Sequence, residues 1–488
     1  MATVVIGAGA GGLSAAIALA AAGEDVLVLE RQAGPGGKLF PVTLAGSATD
    51  TGPTVFTMMW VFEHLFGLAG NDARAVLKPE PLHTLARHFW KGGANLDLFA
   101  DREESADAIG RFAGATEAKG YLAFSAAAKA MHDSLLQPFL NSQRPTPWGL
   151  SAAMPLGDLF KINPFETLWH ALGRYFKDER LRQLFGRYAT YCGSSPFKAP
   201  ATLMLVADVE ASGVWRLPGG MADLARALHE TAVALGVRFL FGTAAAKIEA
   251  TRSGVTAVID SGATRHACDA VVVNADAAAL ATGLLGDATK PAAKILQAKE
   301  RSLSAVTWAG RIAHDGLPLH HHNVFFSADY PAEFAALSSG PAADPTIYLC
   351  DQGEGRKLVL VNAPANGMAA PSDLEATVLR RLEAQGLHLD LSHGEILRRS
   401  PKDFAALYPA THGALYGRAS HGWMSTFLRP QARTHLPNLY LAGGSVHPGP
   451  GVPMATLSGL RAAEALLSDH ASTRRFRRTA IAGGTSMP

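Results

Sequence analysis

Three glycines whose spacing can hold a pyrophosphate stand at the start of the chain, Gly7, Gly9 and Gly12 in the run Gly-Ala-Gly-Ala-Gly-Gly. Gly7 permits a tight turn, Gly9 lets the backbone approach a phosphate, and Gly12 lets a helix pack against a strand. The helix N-terminus at Ala10 and Gly11 offers unpaired N–H groups to the anion. Glu30 follows Gly12 by 18 residues, where a carboxylate can accept hydrogen bonds from ribose hydroxyls and disfavours a 2′-phosphate. Arg31 stands beside it. A glycine-rich turn without a ligand is the competing reading, and the agreement of strand, helix and acid weighs against it.

This unit selects a dinucleotide but not which one. Gly34-Pro35-Gly36-Gly37-Lys38 adds a second flexible loop, followed by Asp50-Thr51-Gly52-Pro53-Thr54. Together they suggest a cofactor larger and more deeply buried than a dissociating nicotinamide. Pro218-Gly219-Gly220-Met221 opens another helix, and a later strand ends in Asn274-Ala275-Asp276. Far down the chain, a strand over Leu439 to Ala442 leads into Gly443, Gly444, His447, Gly451, Val452 and Pro453. Pro453 suits the first turn of a helix continuing through Ala465. A helix N-terminus there would stabilise negative charge on a flavin that accepts a hydride. Taken alone that segment is a capped structural helix; taken with the other loops it points to FAD.

The elements that must position these loops follow from the hydrophobic pattern. Thr3 to Ile6 reads as a buried strand, Gly12 to Ala22 as a helix and Asp25 to Leu29 as the second strand of a βαβ unit. Helical periods such as Leu168 to Leu184 interrupt it. Cofactor-like structure returns with a helix over Ala222 to Leu235 and strands over Val237 to Phe241, Val255 to Ile259 and Ala270 to Val273, then a helix over Ala277 to Leu285. We therefore expect an α/β, Rossmann-like FAD-binding domain of residues 1–81, 205–291 and 416–471. It is interleaved with a mixed α+β substrate and membrane domain of residues 82–204 and 292–415, and a basic tail of residues 472–488 follows.

The chain has 488 residues, enough for two cores. Charged residues make up 18% and apolar ones 48% of it, with mean hydropathy +0.10, which is oily against a typical charged share of about 25%. The net charge of +2 gives no global attraction to nucleic acid. Cys192, Cys268 and Cys350 are far apart, arguing against a disulfide framework or structural zinc and for a reducing cytoplasm. The uncharged run Val4 to Gly23 lacks a basic flank and is interrupted by glycines, so it is not read as a signal peptide. No later segment has the length of a spanning helix.

With these segments together the chain resembles the bacterial carotenoid desaturases of the phytoene-desaturase type, and most closely the 1-hydroxycarotenoid 3,4-desaturases. The likeness runs over nearly the whole chain. It is carried by the loops above with Leu184 to Tyr191 and Gly213-Val214-Trp215, and for the narrower group by Ala86-Arg87-His88-Phe89-Trp90 and His321-His322-Asn323-Val324-Phe325-Phe326. Val446 departs from the pattern, standing where the family usually has Thr.

The resemblance implies FAD-dependent oxidation of C3 and C4 in an acyclic 1-hydroxycarotenoid (1-hydroxyneurosporene or 1-hydroxylycopene), with a hydride passing to the flavin and a proton leaving. Reoxidation falls to oxygen or a membrane quinone. The polyene can stabilise an allylic cation, so the protein needs little beyond positioning. Glu210 and Asp208 are the candidate general bases, against a reading as surface carboxylates. A bilayer-soluble substrate implies peripheral association with the inner, photosynthetic membrane. Trp60, Val61, Phe62, Leu65, Phe66 and Leu68, or Phe160, Phe165, Leu168, Trp169 and Phe176, would form an interfacial face unless they are core. Arg474-Arg475-Phe476-Arg477-Arg478 could touch anionic lipid. His320 to His322 read as a polar loop before a strand and not as a metal site. Competing functions are another carotenoid desaturase such as a phytoene desaturase, a flavin-dependent carotenoid isomerase or cyclase, an amine-oxidase-like flavoenzyme, and a carotenoid-binding protein holding flavin structurally.

Overall fold

The computed structural model describes residues 2–149 and 165–482. Short, continuously apolar segments at the N-terminus become parallel strands buried on both faces: β1 (Ala2–Ile6), α1 (Ala10–Ala21) and β2 (Asp25–Leu29) form the opening βαβ unit. A hairpin-like passage and β3 (Phe56–Thr57) lead to α2 (Met59–Leu68). The chain then crosses to a second lobe through β4 (Thr84–Phe89), β5 (Asn95–Phe99), α3 (Arg102–Ala113) and the long α4 (Ala115–Asn141).

The expected helix over Leu168 to Leu184 is broken in two, Leu168–Leu172 and α5 (Glu179–Gly186). Asp178 explains the break, because its side chain accepts from the Arg180 N–H and so restarts a helix where an unbroken one would leave that N–H paired upstream. A 3₁₀ turn over Arg187–Cys192 and α6 (Leu205–Ala211) complete this lobe. Next come β6 (Val214–Arg216), α7 (Met221–Ala234), β7 (Arg238–Leu240) and β8 (Ala270–Val273). The helix expected over Ala277 to Leu285 stops at Ala281.

The remaining elements are β9 (Ser304–Arg311), β10 (His322–Phe325), β11 (Ile347–Gly353), β12 (Arg356–Ala363), α8 (Leu374–Glu383), β13 (Ile396–Arg399) and α9 (Pro401–Leu407). The chain closes with β14 (Leu439–Leu441) and α10, which runs over Val452–Ala482 and well past Ala465.

Two sheets organise these elements. A parallel sheet has the order β7-β2-β1-β8-β14, with Val5 between Val28 and Val272 and Val272 beside Tyr440. Its strands come from three distant stretches of chain. The mixed sheet, ordered β13-β9-β12-β11-β10-β4-β5, is antiparallel except where β10 runs parallel to β4. α8 covers one face of this sheet through Leu374, Val378 and Leu382. The other face looks toward α5 and the Arg187–Cys192 turn, where Val324 and Phe326 join Leu184, Phe185 and Tyr188 in one core.

The stripe from Trp60 to Leu68 belongs to the core and not to an interfacial face: Val61, Phe62, Leu65 and Phe66 are fully buried against α1 and α10, leaving Trp60 and Leu68 part-exposed at 40% and 41%. In the second stripe Leu168 and Phe176 are buried, whereas Phe165 is 74% exposed beside Trp423; Phe160 lies outside the described residues. The backbone of Arg474 to Arg478 continues α10, and their side chains lie outside the description. Among the described residues no helix is long and apolar enough to cross a membrane.

Candidate functional site

The first glycine loop is shaped by crowding. Gly7 has φ +98°, and a methyl on Gly12 would sit 2.0 Å from the Gly7 carbonyl oxygen, so α1 rests directly on β1. Gly9 is the N-cap of α1 and supplies no side-chain cap, leaving the N–H groups of Ala10 and Gly11 open to an anion. Asn274, at the end of β8, fills the space where the loops meet. Its amide donates to the Gly7 carbonyl at 3.3 Å, and a methyl on Gly9, Gly11 or Gly443 would lie 2.7–2.8 Å from its side chain. The second loop runs alongside: Gly36 N–H donates to Ala8 O at 2.8 Å, and Gly37 lies against Gly9.

Glu30 is buried, its two oxygens accepting from Ala8 N–H at 2.7 Å and Gln32 N–H at 2.8 Å. Each oxygen keeps a lone pair for a further donor. Arg31 turns instead to the carbonyls of Ala406 and Leu407 at the end of α9. Ala275 packs under the parallel sheet, and Asp276 caps the short helix Ala277–Ala281.

The residues around Lys38 and Asp50 hold the loops to one another. Lys38 donates to the Leu415 carbonyl and lies 5.1 Å over the Tyr408 ring, and burial lowers its pKa. Gly52 presses on the Lys38 carbonyl, where a methyl would come within 2.0 Å. Thr51 accepts from Arg399 at 2.8 Å, and Pro53 carries the chain on to Thr54. Asp50 accepts from Met221 N–H at 2.7 Å and Ala222 N–H at 3.1 Å, capping α7. Desolvation pushes its carboxyl up to about 6 despite those two bonds. Gly220, at φ +80°, is the residue that meets Asp50, while Gly219 N–H donates to Asp223.

At the C-terminal loop, the buried Arg429 donates to the Gly444, Tyr416 and Arg418 carbonyls. His447 Nε2–H donates to Ser142 O at 3.0 Å, tying the end of α4 to the loop, and burial lowers the His447 pKa to about 4. Gly451 has φ +109°, and α10 begins at Val452 with Pro453 in its first turn. Three glycine loops and two helix N-termini thus converge, and a β-carbon at Gly9, Gly11 or Gly443 would have nowhere to go. The cradle fits a dinucleotide of the size of FAD.

Thr54 marks where this cradle meets the mixed sheet. A small cleft there is lined by Asp50, Thr54, Trp215, Met221, His321 and Cys350. Neither candidate base is a surface carboxylate. Asp208 and Glu210 are 4% and 5% exposed, because α6 packs against α4 and the Arg187–Cys192 turn. Asp208 is ion-paired with Arg102 and His132; burial works against its charge, but the His132 hydrogen bond and both cations hold its pKa below the ordinary value. Glu210 accepts from the hydroxyls of Tyr188 at 2.7 Å and of Tyr191, and Tyr191 in turn accepts from Arg187 at 2.9 Å. Glu210 therefore reaches any cavity only through Tyr191.

His322 is no loop residue. It is buried at the start of β10, opposite Cys350 of β11, and ligand atoms of His321, His322 and Cys350 lie within 4.8 Å of one another. Residues 322 and 350 meet only through strand pairing, which sequence spacing does not display. The alternation in Ile347-Tyr348-Leu349-Cys350, placing Tyr348 and Cys350 on one face, was the available signal.

A model of flavin containing amine oxidoreductases matches residues 10–467. The chain belongs to that family. Hydroxyneurosporene desaturase of Rubrivivax gelatinosus is 46% identical, the match covering 99% of this chain and 96% of the relative. A 1-hydroxycarotenoid 3,4-desaturase of Flavobacterium sp. is 30% identical over 93% and 96%. Among solved structures, cyclohexylamine oxidase from Brevibacterium oxydans superposes with TM-score 0.60 at 15% identity over 96% of this chain and 98% of that one. FAD is the cofactor, and the fold is the family's Rossmann-like flavoprotein fold. Within the family the chain stands with the carotenoid desaturases, FAD-dependent oxidoreductases of CH–CH groups.

Proposed function

We propose that this flavoprotein introduces the C3–C4 double bond into an acyclic 1-hydroxycarotenoid of the 1-hydroxyneurosporene or 1-hydroxylycopene kind, in carotenoid biosynthesis. The observation that carries this reading is the apolar, aromatic wall packed between the mixed sheet and α5, with Trp90, Phe326 and Tyr330 in one buried cluster, on the sheet face whose Tyr348 reaches Thr54. An amine oxidase would instead set an aromatic cage for the substrate amine directly beside the flavin. The relatives' names agree with the wall.

FAD when bound supplies the hydride acceptor. The chain's own contribution is to hold the two reacting carbons. Residues 1–81, 205–291 and 416–471, α6 apart, would build the cofactor half: the α1 N-terminus and Gly7 to Gly12 would hold the pyrophosphate, Glu30 the ribose, and Thr54 and the α10 N-terminus the redox end. The sheet and helices of the other half exclude water from a cation-like polyene. Neither Asp208 nor Glu210 is directly exposed to that space, so the proton would be relayed through the Tyr191 hydroxyl to Glu210 or lost to solvent.

Membrane contact would run through Phe165 and Trp423, 74% and 37% exposed, with Trp148 and Leu428 also exposed. From there a hydrocarbon substrate passes into the lobe without crossing water, and oxygen or a quinone reoxidises the cofactor. The test is incubation of FAD-loaded protein with 1-hydroxylycopene in liposomes. The expected product absorbs further to the red and has lost two hydrogens by mass. A product of unchanged mass would make the protein an isomerase, and bleaching by amines alone would make it an amine oxidase.

A further inference from the structure

On the face of the mixed sheet whose Tyr348 reaches Thr54, a group of polar side chains is buried and incompletely paired. His88, Val324 and Tyr348 are direct neighbours across β4, β10 and β11, and His322 faces Cys350 one pair further along. Paired residues share a face, so His88, His322 and Tyr348 all look toward α5 and the Arg187–Cys192 turn. Tyr348 Oη lies 2.6 Å from Thr54 Oγ1 and 2.7 Å from His322 Nδ1. Arg187 and Tyr191 stand opposite, near enough to act electrostatically on Tyr348. His322 Nε2 and Arg187 Nε have no hydrogen-bond partner among the described residues, although these side chains are only 3% and 6% exposed. Tyr191 and Tyr348 keep some accessible surface, and burial raises both their pKa values.

We propose that Tyr348, His322, Arg187 and Tyr191 form a subsite for a neutral hydroxyl at the end of an elongated apolar substrate. Three features choose the ligand chemistry. Orphaned buried polar atoms cost stability unless a ligand pairs them. The Arg187 charge is already balanced by Glu210, held through Tyr191, so an anionic end group is not called for. His322 is kept neutral by burial, and whichever ring nitrogen carries the proton, the free Nε2 is a donor or an acceptor; a hydroxyl satisfies both cases. The position fits as well. In a 1-hydroxycarotenoid the oxygen is separated from C3 only by C1 and C2, and Tyr348 is bonded to Thr54 at the cofactor end. The assignment rests on the desaturase reading above and names which end of the substrate enters first.

The test compares kcat/KM of the FAD-loaded enzyme for 1-hydroxylycopene with that for lycopene, in wild type, Tyr348→Phe and Tyr191→Phe, with bound flavin per chain as the check on folding. Wild type should prefer the hydroxylated substrate by 100-fold or more, on the order expected where a site is built to bond a hydroxyl. Each variant should lower that ratio about ten-fold, the worth of one hydrogen bond. A wild type that desaturates both equally, or flavin-replete variants with an unchanged ratio, would overturn the subsite and leave the desaturase reading standing. A wild type that desaturates neither would overturn both.

Discussion

The Gly459→Ala enzyme tests whether α10 aligns the two halves of the cofactor cradle. Gly459 lies behind the phosphate loop where α10 crosses α1: an added β-carbon would be 2.0 Å from the Gly11 carbonyl oxygen and 2.9 Å from the Ala15 nitrogen. Ordinary contact begins at 3.4 Å, so the two helices must part by about 1.4 Å. Neither can yield locally, because Ser14 Oγ donates to Thr456 O at 2.8 Å just beside the crossing, and α1 is seated on β1 through Gly12. Overpacking of this kind costs about 1–3 kcal/mol. The N-termini of the same helices carry the phosphate loop and the Gly443 to Pro453 loop, so the displacement should also weaken FAD. The assay is denaturant unfolding followed by circular dichroism, with flavin release followed by fluorescence. Gly67→Ala is the internal contrast: Gly67 sits in α2 with nothing within 4 Å of the added carbon, and the same change there should stabilise by about 0.5–1 kcal/mol. A Gly459→Ala protein with wild-type midpoint and wild-type flavin retention would refute the reasoning.

Asp50→Asn should remove a pH dependence from the apoprotein. The folded carboxyl is raised from 3.8 to about 6, so its stabilising contribution is complete below pH 3.8 and is lost as pH rises through 6. That difference is worth about 3 kcal/mol, and urea midpoints at pH 4 and 7 should converge in the variant relative to wild type. Asp208 has the opposite sign: its lowered pKa stabilises above the ordinary carboxylate value and the stabilisation is lost as pH falls through the lowered one. Asp208→Asn should cost about 1 kcal/mol at pH 7 by weakening the bonds from His132 and Arg102, while the pH profile of turnover stays that of wild type. Phe165→Ser with Trp423→Ser should abolish co-sedimentation with vesicles without loss of bound flavin; retained binding would place the membrane contact elsewhere.

What could be read from the residues was what is local in the chain. Gly7 to Gly12 and Glu30 fall within a single βαβ unit, so spacing alone carries the geometry. The apolar run at Ala270 to Val273 matched its strand end to end because nothing competes with a buried parallel strand for such a segment. Asp50 and Met221 illustrate the limit. Their hydrogen bond joins residues 171 apart, and no pattern in either segment announces it. The stripe at Trp60 to Leu68 stood open between core and interface for a different reason: an amphipathic period is the same whether the apolar side meets a bilayer or α1, and the tertiary partner decides for the core. Glu210 was singled out for its position before Trp215, but its environment was misjudged because the two tyrosines that bury it come from the turn after α5.

These corrections change how the low charge content works. The substrate lobe is not free of charge; it contains Arg187, Glu210, Asp208 and His132, all at least partly buried. Its charges are paired in sets, Arg187 with Glu210 through Tyr191 and Asp208 with Arg102 and His132. A hydrocarbon bound in this lobe would therefore meet no uncompensated field that would pin or repel a developing cation along the polyene. Position would then be set by the incompletely paired group near Tyr348 and His322, and not by charge. On this view a substrate with a polar end is held in register by its hydroxyl, and a pure hydrocarbon of the same length slides. Loss of regiospecificity, more than loss of rate, should accompany removal of the Tyr348 hydroxyl, and product mixtures with double bonds elsewhere along the chain would report it.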